Sequence, residues 1–227
     1  MFGFQRIHDL AWAAGDSQAK GFLIGATSGR TTLNGEGLQH QDGHSHILSS
    51  TIPNCLSYDP TFSYEVAVII KDGIQKMYVD QKNYFYYITT TNENYEHPTM
   101  PKGSEEGIVK GMYKLIESKN PAIRLLGSGS ILNESIKAKS ILDNYGIESE
   151  IWSVTSFNLL RKDGMEVERY NQLNPTKKEK QTYVEECFKN ESIPVIASTD
   201  YMRSYACLLY TSRSPRDRTR SRMPSSA

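Results

Sequence analysis

Residues 122–146, AIRLLGSGSILNESIKAKSILDNYG, decide the fold of this chain. Residues 122–126 are apolar apart from Arg124 and precede a glycine-rich turn, which predicts a buried strand. After the turn, apolar residues recur at helical spacing over 132–145, and Gly146 is typical of the residue that ends a helix. The positions expected to face the core are Leu132, Ile136, Ile141, Leu142 and Tyr145. Strand, turn and helix in this order predict one unit of a parallel α/β sheet.

The same alternation extends in both directions from this unit. Downstream, the pattern predicts strands at 150–154 and 193–197 and the start of a helix at 201–206. Upstream, the predicted strands are 21–26, 55–57 and 83–91, and the predicted helices are 4–14 and 63–71, with a break at Asp72 and Gly73. The aromatic residues of 83–91 are assigned to the core, because no basic residues alternate with them. Residues 92–103 hold two prolines, so we interpret them as a linker between two α/β units.

The composition excludes several classes of protein. The chain has 227 residues, 38% of them apolar and 23% charged, which is ordinary for a globular protein. Basic and acidic residues balance overall, but residues 207–227 hold five arginines and one aspartate, so the remainder is mildly acidic. Such a body gives no reason to expect a nucleic acid partner, and no apolar run approaches the roughly 18 residues of a membrane span. Three widely spaced cysteines and no recognisable signal peptide predict a cytoplasmic protein.

Residues 207–227 differ from the rest of the chain. Serine, arginine and proline dominate there, and the helical pattern of 201–206 stops abruptly. One interpretation is a disordered basic arm. We favour a second interpretation, translated sequence that is not native to the protein, and leave this tail out of the fold prediction.

Residues 34–46, NGEGLQHQDGHSH, are the strongest candidate for a functional site. Histidines can exchange protons near neutral pH, and glycines let the backbone approach a ligand closely. Glu36 and His40 could together position a substrate or move a proton. A spacing that a transition metal could use is shared by His40, Asp42, His44 and His46. A solvated loop is the third interpretation, but the glycines favour an organic ligand, so we predict no metal site.

Residues 127–130, GSGS, lie between the predicted strand and helix. Backbone amides at the start of a helix attract phosphate groups. The segment matches neither the GxGxxG nor the P-loop pattern, so a tight turn is the favoured interpretation.

Longer segments of the chain resemble a known family. Residues 1–46, MFGFQRIHDLAWAAGDSQAKGFLIGATSGRTTLNGEGLQHQDGHSH, and residues 52–70, IPNCLSYDPTFSYEVAVII, are similar to the thiamine-diphosphate-dependent subunit of pyruvate dehydrogenase, of the homodimeric, single-chain bacterial type. STDYMRSYA at 198–206 is similar to the same family. The string GRTTLNGEGLQHQDGHSH at 29–46 distinguishes this type from transketolase, which shares only a looser G-D-G-x-H pattern and the IPN…P…E segment.

The resemblance implies an activity, cofactors and partners. Enzymes of this family decarboxylate pyruvate on thiamine diphosphate, with Mg²⁺ at the diphosphate, and pass the acetyl group to a lipoyl domain. That lipoyl domain belongs to the dihydrolipoamide acetyltransferase component of a multienzyme complex. Two chains form each active site in the family, so a homodimer is expected.

The resemblance covers residues 1 to about 206 and implies an α/β, transketolase-like fold. Residues 1–98 resemble the later half of the pyrimidine-binding middle domain, and residues 99–206 resemble a linker and the start of the C-terminal α/β domain. Residues 207–227 are the predicted tail. The family's diphosphate-binding domain, and its glutamate that protonates the aminopyrimidine, have no counterpart in this sequence. We therefore expect the chain alone to be inactive.

Individual site residues follow from the resemblance, position by position. Phe2 matches the aromatic residue that packs on the aminopyrimidine, and Glu36 and His40 match loop residues that face the cofactor and the reacting substrate. Asp42, His44 and His46 are assigned only to the structure of the loop. Two other hypotheses stay open: another 2-oxo acid dehydrogenase or transketolase-like enzyme, and a non-catalytic dimerisation or assembly module.

Overall fold

The computed structural model describes residues 4–26, 28–31, 37, 40–189 and 192–209. Within these ranges the chain forms two α/β units, each built on its own sheet. Phe2, Glu36 and residues 210–227 of the predicted tail lie outside the described residues. No helix in the described ranges is long and apolar enough to cross a membrane.

The first unit contains a three-stranded parallel sheet in the order β1-β3-β2. Its strands are β1 (Phe22–Ala26), β2 (Cys55–Tyr58) and β3 (Phe85–Thr90). The central strand β3 buries four successive apolar residues, Phe85, Tyr86, Tyr87 and Ile88. A strand covered on both faces needs such a continuous apolar run. The three predicted strands are thus confirmed, as is the assignment of the aromatic cluster to the core.

Helices cover this sheet and one of them departs from the prediction. The helices are α1 (Phe4–Asp16), α2 (Ser45–Ser49) and α3 (Ser63–Ile74), which continues as a π-helical segment, Gln75–Val79. The predicted break at Asp72 and Gly73 is wrong, because α3 runs through both residues. A Cβ atom at Gly73 would lie 2.7 Å from a ring carbon of Phe22. The glycine therefore permits close packing of α3 on the sheet and does not end the helix.

Replacing Gly73 by alanine is expected to destabilise the chain by about 1–3 kcal/mol, because the added methyl group overpacks the contact with Phe22 and Tyr86. Urea unfolding of the variant measures this loss. Gly21→Ala is the matched control, since a Cβ atom there meets nothing within 4 Å. If the two variants are equally stable, close packing does not explain Gly73.

The second unit contains a four-stranded sheet in the order β4-β6-β5-β7. Its strands are β4 (Met112–Ile116), β5 (Ile123–Gly127), β6 (Ser149–Val154) and β7 (Val195–Ser198). The predicted strands at 122–126, 150–154 and 193–197 are confirmed. The sheet is mixed and not wholly parallel as predicted, because β4 runs antiparallel to β6. Only a short link joins β4 to β5, whereas a parallel return needs about a dozen residues or more.

The helices of this unit are α4 (Glu105–Lys110), α5 (Ile131–Asn144), α6 (Phe157–Leu173), α7 (Tyr183–Phe188) and α8 (Arg203–Ala206). The sequence pattern predicted α5 and α8. It gave no expectation for α4, α6, α7 or strand β4. Ser156 begins α6 by accepting a hydrogen bond from the backbone N–H of Leu159 at 3.1 Å. Serine at this position is a strong signal for a helix start.

The end of α5 confirms one prediction and corrects another. Gly146 has φ +71, and its N–H donates to the Asp143 carbonyl, so it ends the helix as predicted. Ile141 and Tyr145, which were expected to face the core, are 58% and 78% exposed. The helix packs on one side only, through the face that carries Leu132. Ile141 follows Leu132 by about two and a half turns, so it lies on the opposite side of the helix, and Tyr145 lies about one turn further along that exposed side.

An apolar cluster joins the two units. Tyr58, Ile69 and Met77 of the first unit pack there with Ile108 and Tyr113 of the second. All five side chains are at most 4% exposed. The two sheets therefore share part of their core. The domain boundaries at 98 and 206 stay predictions.

Candidate active site

Four buried polar residues follow or end strands of the two sheets and lie close together. Asp59 follows β2, Thr89 lies near the end of β3, Ser128 follows β5, and Asp200 follows β7. All four are at most 6% exposed. Because ligands of parallel α/β proteins bind at the carboxyl ends of strands, this edge is where a site is expected.

Asp59 links the two units at this edge. Its carboxylate accepts hydrogen bonds from the Thr89 hydroxyl at 2.7 Å and from the Ser128 hydroxyl at 2.9 Å. Burial raises the pKa of Asp59 to about 7, the two hydrogen bonds lower it, and the nearby carboxylates of Asp200 and Asp42 raise it further. A buried carboxyl group that titrates near neutral pH is thus built into the junction between the sheets.

The GSGS segment at 127–130 forms the tight turn that was predicted. The backbone N–H of Gly129 donates to the Asp59 carbonyl at 3.1 Å, and its carbonyl accepts from the Thr61 hydroxyl at 2.7 Å. Gly129 has φ +51, and a Cβ atom there would lie 2.7 Å from both carboxylate oxygens of Asp59. The backbone of the turn therefore forms hydrogen bonds with the first unit.

His46 is buried in an aromatic cage. Its ring stacks on Tyr205 at 4.9 Å between centroids and meets Tyr201 edge-on at 4.7 Å. Nε2 lies 3.1 Å from the Thr89 hydroxyl oxygen, and Nδ1 has no hydrogen-bond partner among the described residues. Since the Thr89 hydroxyl donates to Asp59, its oxygen accepts from Nε2–H. Burial lowers the pKa of His46 to about 3, so the ring is neutral and structural at physiological pH.

Asp42 fixes the end of the histidine loop. Its carboxylate accepts hydrogen bonds from the backbone N–H groups of His44 at 3.1 Å and Ser45 at 3.0 Å. These donors lie at the start of α2, where helices have unpaired N–H groups. The structure thus agrees with the assignment of Asp42 and His46 to the structure of the loop.

Of the three residues predicted to act at the cofactor or substrate, the structure describes one, His40. His40 is half-buried, and its backbone N–H donates to the Gly37 carbonyl at 2.9 Å. Phe2 and Glu36 lie outside the described residues. Among the residues that the structure does describe, no three metal-ligating side chains come together.

The beginning of the loop is held by the second unit. The Asp200 carboxylate accepts hydrogen bonds from the backbone N–H groups of Arg30 and Thr31. The Arg30 guanidinium in turn donates to the backbone carbonyls of Asp200 and Tyr201, both at 2.9 Å. Sequence reasoning missed Asp59 and Asp200, although each carboxylate lies within three residues of the end of a predicted strand. That position at a strand's carboxyl end is the signal that could have found them.

Two family models match the chain. The model described as the pyruvate dehydrogenase E1 component middle domain matches residues 1–98. The model described as the transketolase-like C-terminal domain matches residues 111–214.

Curated relatives agree with these models. The chain is 64% identical over 210 residues to the pyruvate dehydrogenase E1 component of Pseudomonas aeruginosa, which covers 91% of this chain and 24% of that protein. It is 59% identical over 210 residues to the same component of Escherichia coli K12, with 91% of this chain and 23% of that protein covered. The chain thus spans about a quarter of the length of the curated relatives it matches.

Solved structures support the fold. The transketolase of Campylobacter jejuni superposes with a TM-score of 0.56 at 21% identity, covering 71% of this chain and 24% of that one. The transketolase of Leishmania mexicana gives a TM-score of 0.52 at 16% identity, covering 73% and 21%. At such identities the likeness concerns the fold alone. The two family models and the identities to curated relatives show that this chain belongs to the pyruvate dehydrogenase E1 component family.

Proposed function

We propose that this chain forms part of the active site of a pyruvate dehydrogenase E1 component. In this reaction the bond between the carboxylate and the keto carbon of pyruvate breaks, and carbon dioxide leaves. The electron pair left behind reduces a lipoyl disulfide, so that one sulfur is acetylated and the other becomes a thiol. The observation that carries the proposal is the 64% identity to a named E1 component over 91% of the chain.

The residues of this chain fit the organic part of thiamine diphosphate better than its metal-bound diphosphate. The carboxylates of Asp42 and Asp200 accept hydrogen bonds from backbone N–H groups, and Asp59 is buried. None of these groups is placed to hold Mg²⁺, so we propose that diphosphate and Mg²⁺ ligands come from protein outside this sequence. When bound, thiamine diphosphate supplies the carbon nucleophile for the keto group of pyruvate.

Phe2, Glu36 and His40 are the residues that we propose to act at the cofactor. Phe2 packs on the aminopyrimidine ring and excludes water from it. Glu36 and His40 face the reacting substrate, where a carboxylate and an imidazole orient it and move protons. The support for this assignment is the loop's position, because both of its described ends contact residues 200–202, which follow the carboxyl end of β7.

The proposed partners follow from the same function. They are pyruvate, the lipoyl domain of the dihydrolipoamide acetyltransferase component, and a second copy of the chain that completes the site. The unpaired thiols of Cys55, Cys187 and Cys207 support a reducing, cytoplasmic location. The inactivity of the isolated chain stays a prediction.

Substituting Glu36→Gln or His40→Gln in the E1 component that contains this sequence is expected to lower kcat on pyruvate about 100-fold or more, because each change removes a group that transfers or orients a proton. Steady-state assays with thiamine diphosphate, Mg²⁺ and a lipoyl acceptor measure this. Glu134→Gln is the matched control, since that carboxylate lies exposed on α5, where it forms an ion pair with Lys137.

Parallel assays test the other enzymes that the sequence left open. The unsubstituted component is expected to prefer pyruvate over 2-oxoglutarate and ketose phosphates. Preference for either of these would contradict the proposed substrate. Full activity of both the Glu36 and His40 variants would contradict the proposed site.

A further inference from the structure

The loop that carries Glu36 and His40 is fastened at both ends by one turn of the second unit. That turn comprises residues 200–202 and follows strand β7. It contacts residues 29–31 at the beginning of the loop and Gly43 at its end. About 170 residues of sequence separate the partners, so this contact exists only in the folded chain.

The carboxylate of Asp200 holds the beginning of the loop. One oxygen, Oδ2, accepts from the Arg30 N–H, from the Thr31 N–H at 2.9 Å and from the Thr31 hydroxyl at 3.0 Å. Gly29 lies against the same carboxylate with φ +79, and a Cβ atom there would collide with it. Hydrogen bonds to an ionised acceptor are stronger than neutral ones, and three converge here.

The side chain of Arg30 binds the backbone of the same turn. Its guanidinium donates through Nε to the Asp200 carbonyl and through Nη2 to the Tyr201 carbonyl, both at 2.9 Å. A guanidinium presents its donors in a rigid planar fork, whereas the donors of a lysine ammonium rotate on a flexible stem. A side chain of the loop thus binds the backbone of the turn, and a side chain of the turn binds the backbone of the loop.

The end of the loop is tied to the same turn. The backbone N–H of Met202 donates to the Gly43 carbonyl at 3.1 Å. The backbone N–H of Asp42 donates to the Gly29 carbonyl at 3.3 Å, which joins the two ends of the loop to each other. The span between them, which includes Glu36 and His40, thus starts and finishes at fixed points.

We propose that Asp200 and Arg30 are positioning residues, which clamp the loop so that Glu36 and His40 face the reacting substrate. This inference rests on the proposed function. It assigns to the C-terminal unit a part in catalysis that acts through the loop, with no contact to substrate. A displacement of about 1 Å in a catalytic group is enough to lower a rate substantially.

The experiment compares Asp200→Asn and Arg30→Lys in the E1 component that contains this sequence. Hydrogen exchange of peptides covering 28–43 is expected to become about tenfold faster or more, because charge-assisted hydrogen bonds are lost. Peptides from α5 are expected to exchange as before. On pyruvate, kcat is expected to fall about tenfold, with a smaller change in KM, since the chemical step needs the positioned groups.

Two further variants keep the test informative. Thr31→Val removes the hydroxyl that donates to Asp200 at 3.0 Å and lies 3.4 Å from the Ser130 hydroxyl. It is expected to give a smaller effect in the same direction, without endangering the fold. Asp143→Asn is the control, because that carboxylate lies on α5 in an ion pair with Lys139. It is expected to change neither loop exchange nor kcat.

The outcomes separate this inference from the proposed function. Unchanged loop exchange in Asp200→Asn and Arg30→Lys would overturn the clamp, even if Glu36 and His40 prove catalytic. Faster loop exchange with unchanged kcat would overturn the positioning role. Failure of the proposed function itself is seen in the Glu36 and His40 variants, which leave the clamp intact.

Discussion

Replacing Glu65 by alanine is expected to lower the free energy of unfolding by about 3–5 kcal/mol, because the change leaves buried donors of both α/β units without an acceptor. Glu65 is fully buried in the first turn of α3. Urea unfolding of the chain, followed by tryptophan fluorescence and circular dichroism together, measures the loss and checks that unfolding is two-state.

Four hydrogen bonds explain the size of this effect. Glu65 Oε2 accepts from the backbone N–H groups of Thr61 at 2.6 Å and Phe62 at 3.0 Å. Oε1 accepts from the hydroxyls of Tyr113 at 2.7 Å and Ser153 at 2.6 Å. The first two donors precede α3, whereas the last two lie on β4 and β6. Burial raises the pKa of Glu65, and the hydrogen bonds oppose that rise.

Two variants separate the lost hydrogen bonds from general effects of substitution. Glu65→Gln keeps the shape and one acceptor oxygen, so we expect a loss of about 1–3 kcal/mol. Glu134→Ala removes an exposed carboxylate on α5 and is expected to change stability very little. If Glu65→Ala unfolds at the same urea concentration as Glu134→Ala, the carboxylate does not hold the units together.

Glu65 also shows why the buried face of α3 was not predictable. The apolar residues Tyr64, Ala67 and Val68 lie at helical spacing and favour one face of α3, whereas the structure buries Glu65, Ile69 and Gly73. A charged residue is buried only when distant donors satisfy it. Tyr113 and Ser153 are such donors, but nothing in the local sequence brings them to this helix.

Strands were predictable from short apolar runs in the sequence. Strands β2 and β5 are buried except at their first residue, and a local pattern suffices to recognise them. The apolar run of β1 is recognised in the same way, although Ile24 is 45% exposed. Helix α6 was not predicted, because its buried residues, Phe157, Leu160 and Gly164, all lie in its first half and the rest of the helix is largely polar. Phe157 and Leu160 belong to the apolar core of the second unit, so their burial is evident only once that core has been assembled.

The candidate site, too, was predictable from the sequence only in part. Composition singled out the histidine loop, since glycine, histidine and carboxylates together are rare in a core. It did not reveal that His46 is caged by tyrosines or that Asp200 fastens the loop. Those roles depend on residues more than 150 positions away in sequence. Contacts of that kind follow from the topology of the two sheets and not from local spacing.

The stability of the chain is expected to fall as pH rises from about 4 to about 7, and Asp59→Asn is expected to reduce this dependence. Burial raises the pKa of Asp59 from its usual 3.8 to about 7. Between these values the unfolded state has lost the proton while the folded state keeps it, so folding becomes less favourable as pH increases. A shift of this size corresponds to a change on the order of 4 kcal/mol across the window.

Urea unfolding between pH 5 and pH 8 tests this, with the difference between the chain and its Asp59→Asn variant isolating the one carboxyl group. The asparagine keeps an oxygen that can accept from Thr89 or Ser128, yet it carries no charge at any pH. The variant should therefore gain stability relative to the chain as pH rises, by about 2–3 kcal/mol from pH 5 to pH 8. Asp143→Asn, an exposed carboxylate, should leave the slope unchanged. A difference between chain and variant that stays constant over this range would mean that Asp59 is ionised throughout, and that the Thr89 and Ser128 hydroxyls outweigh its burial.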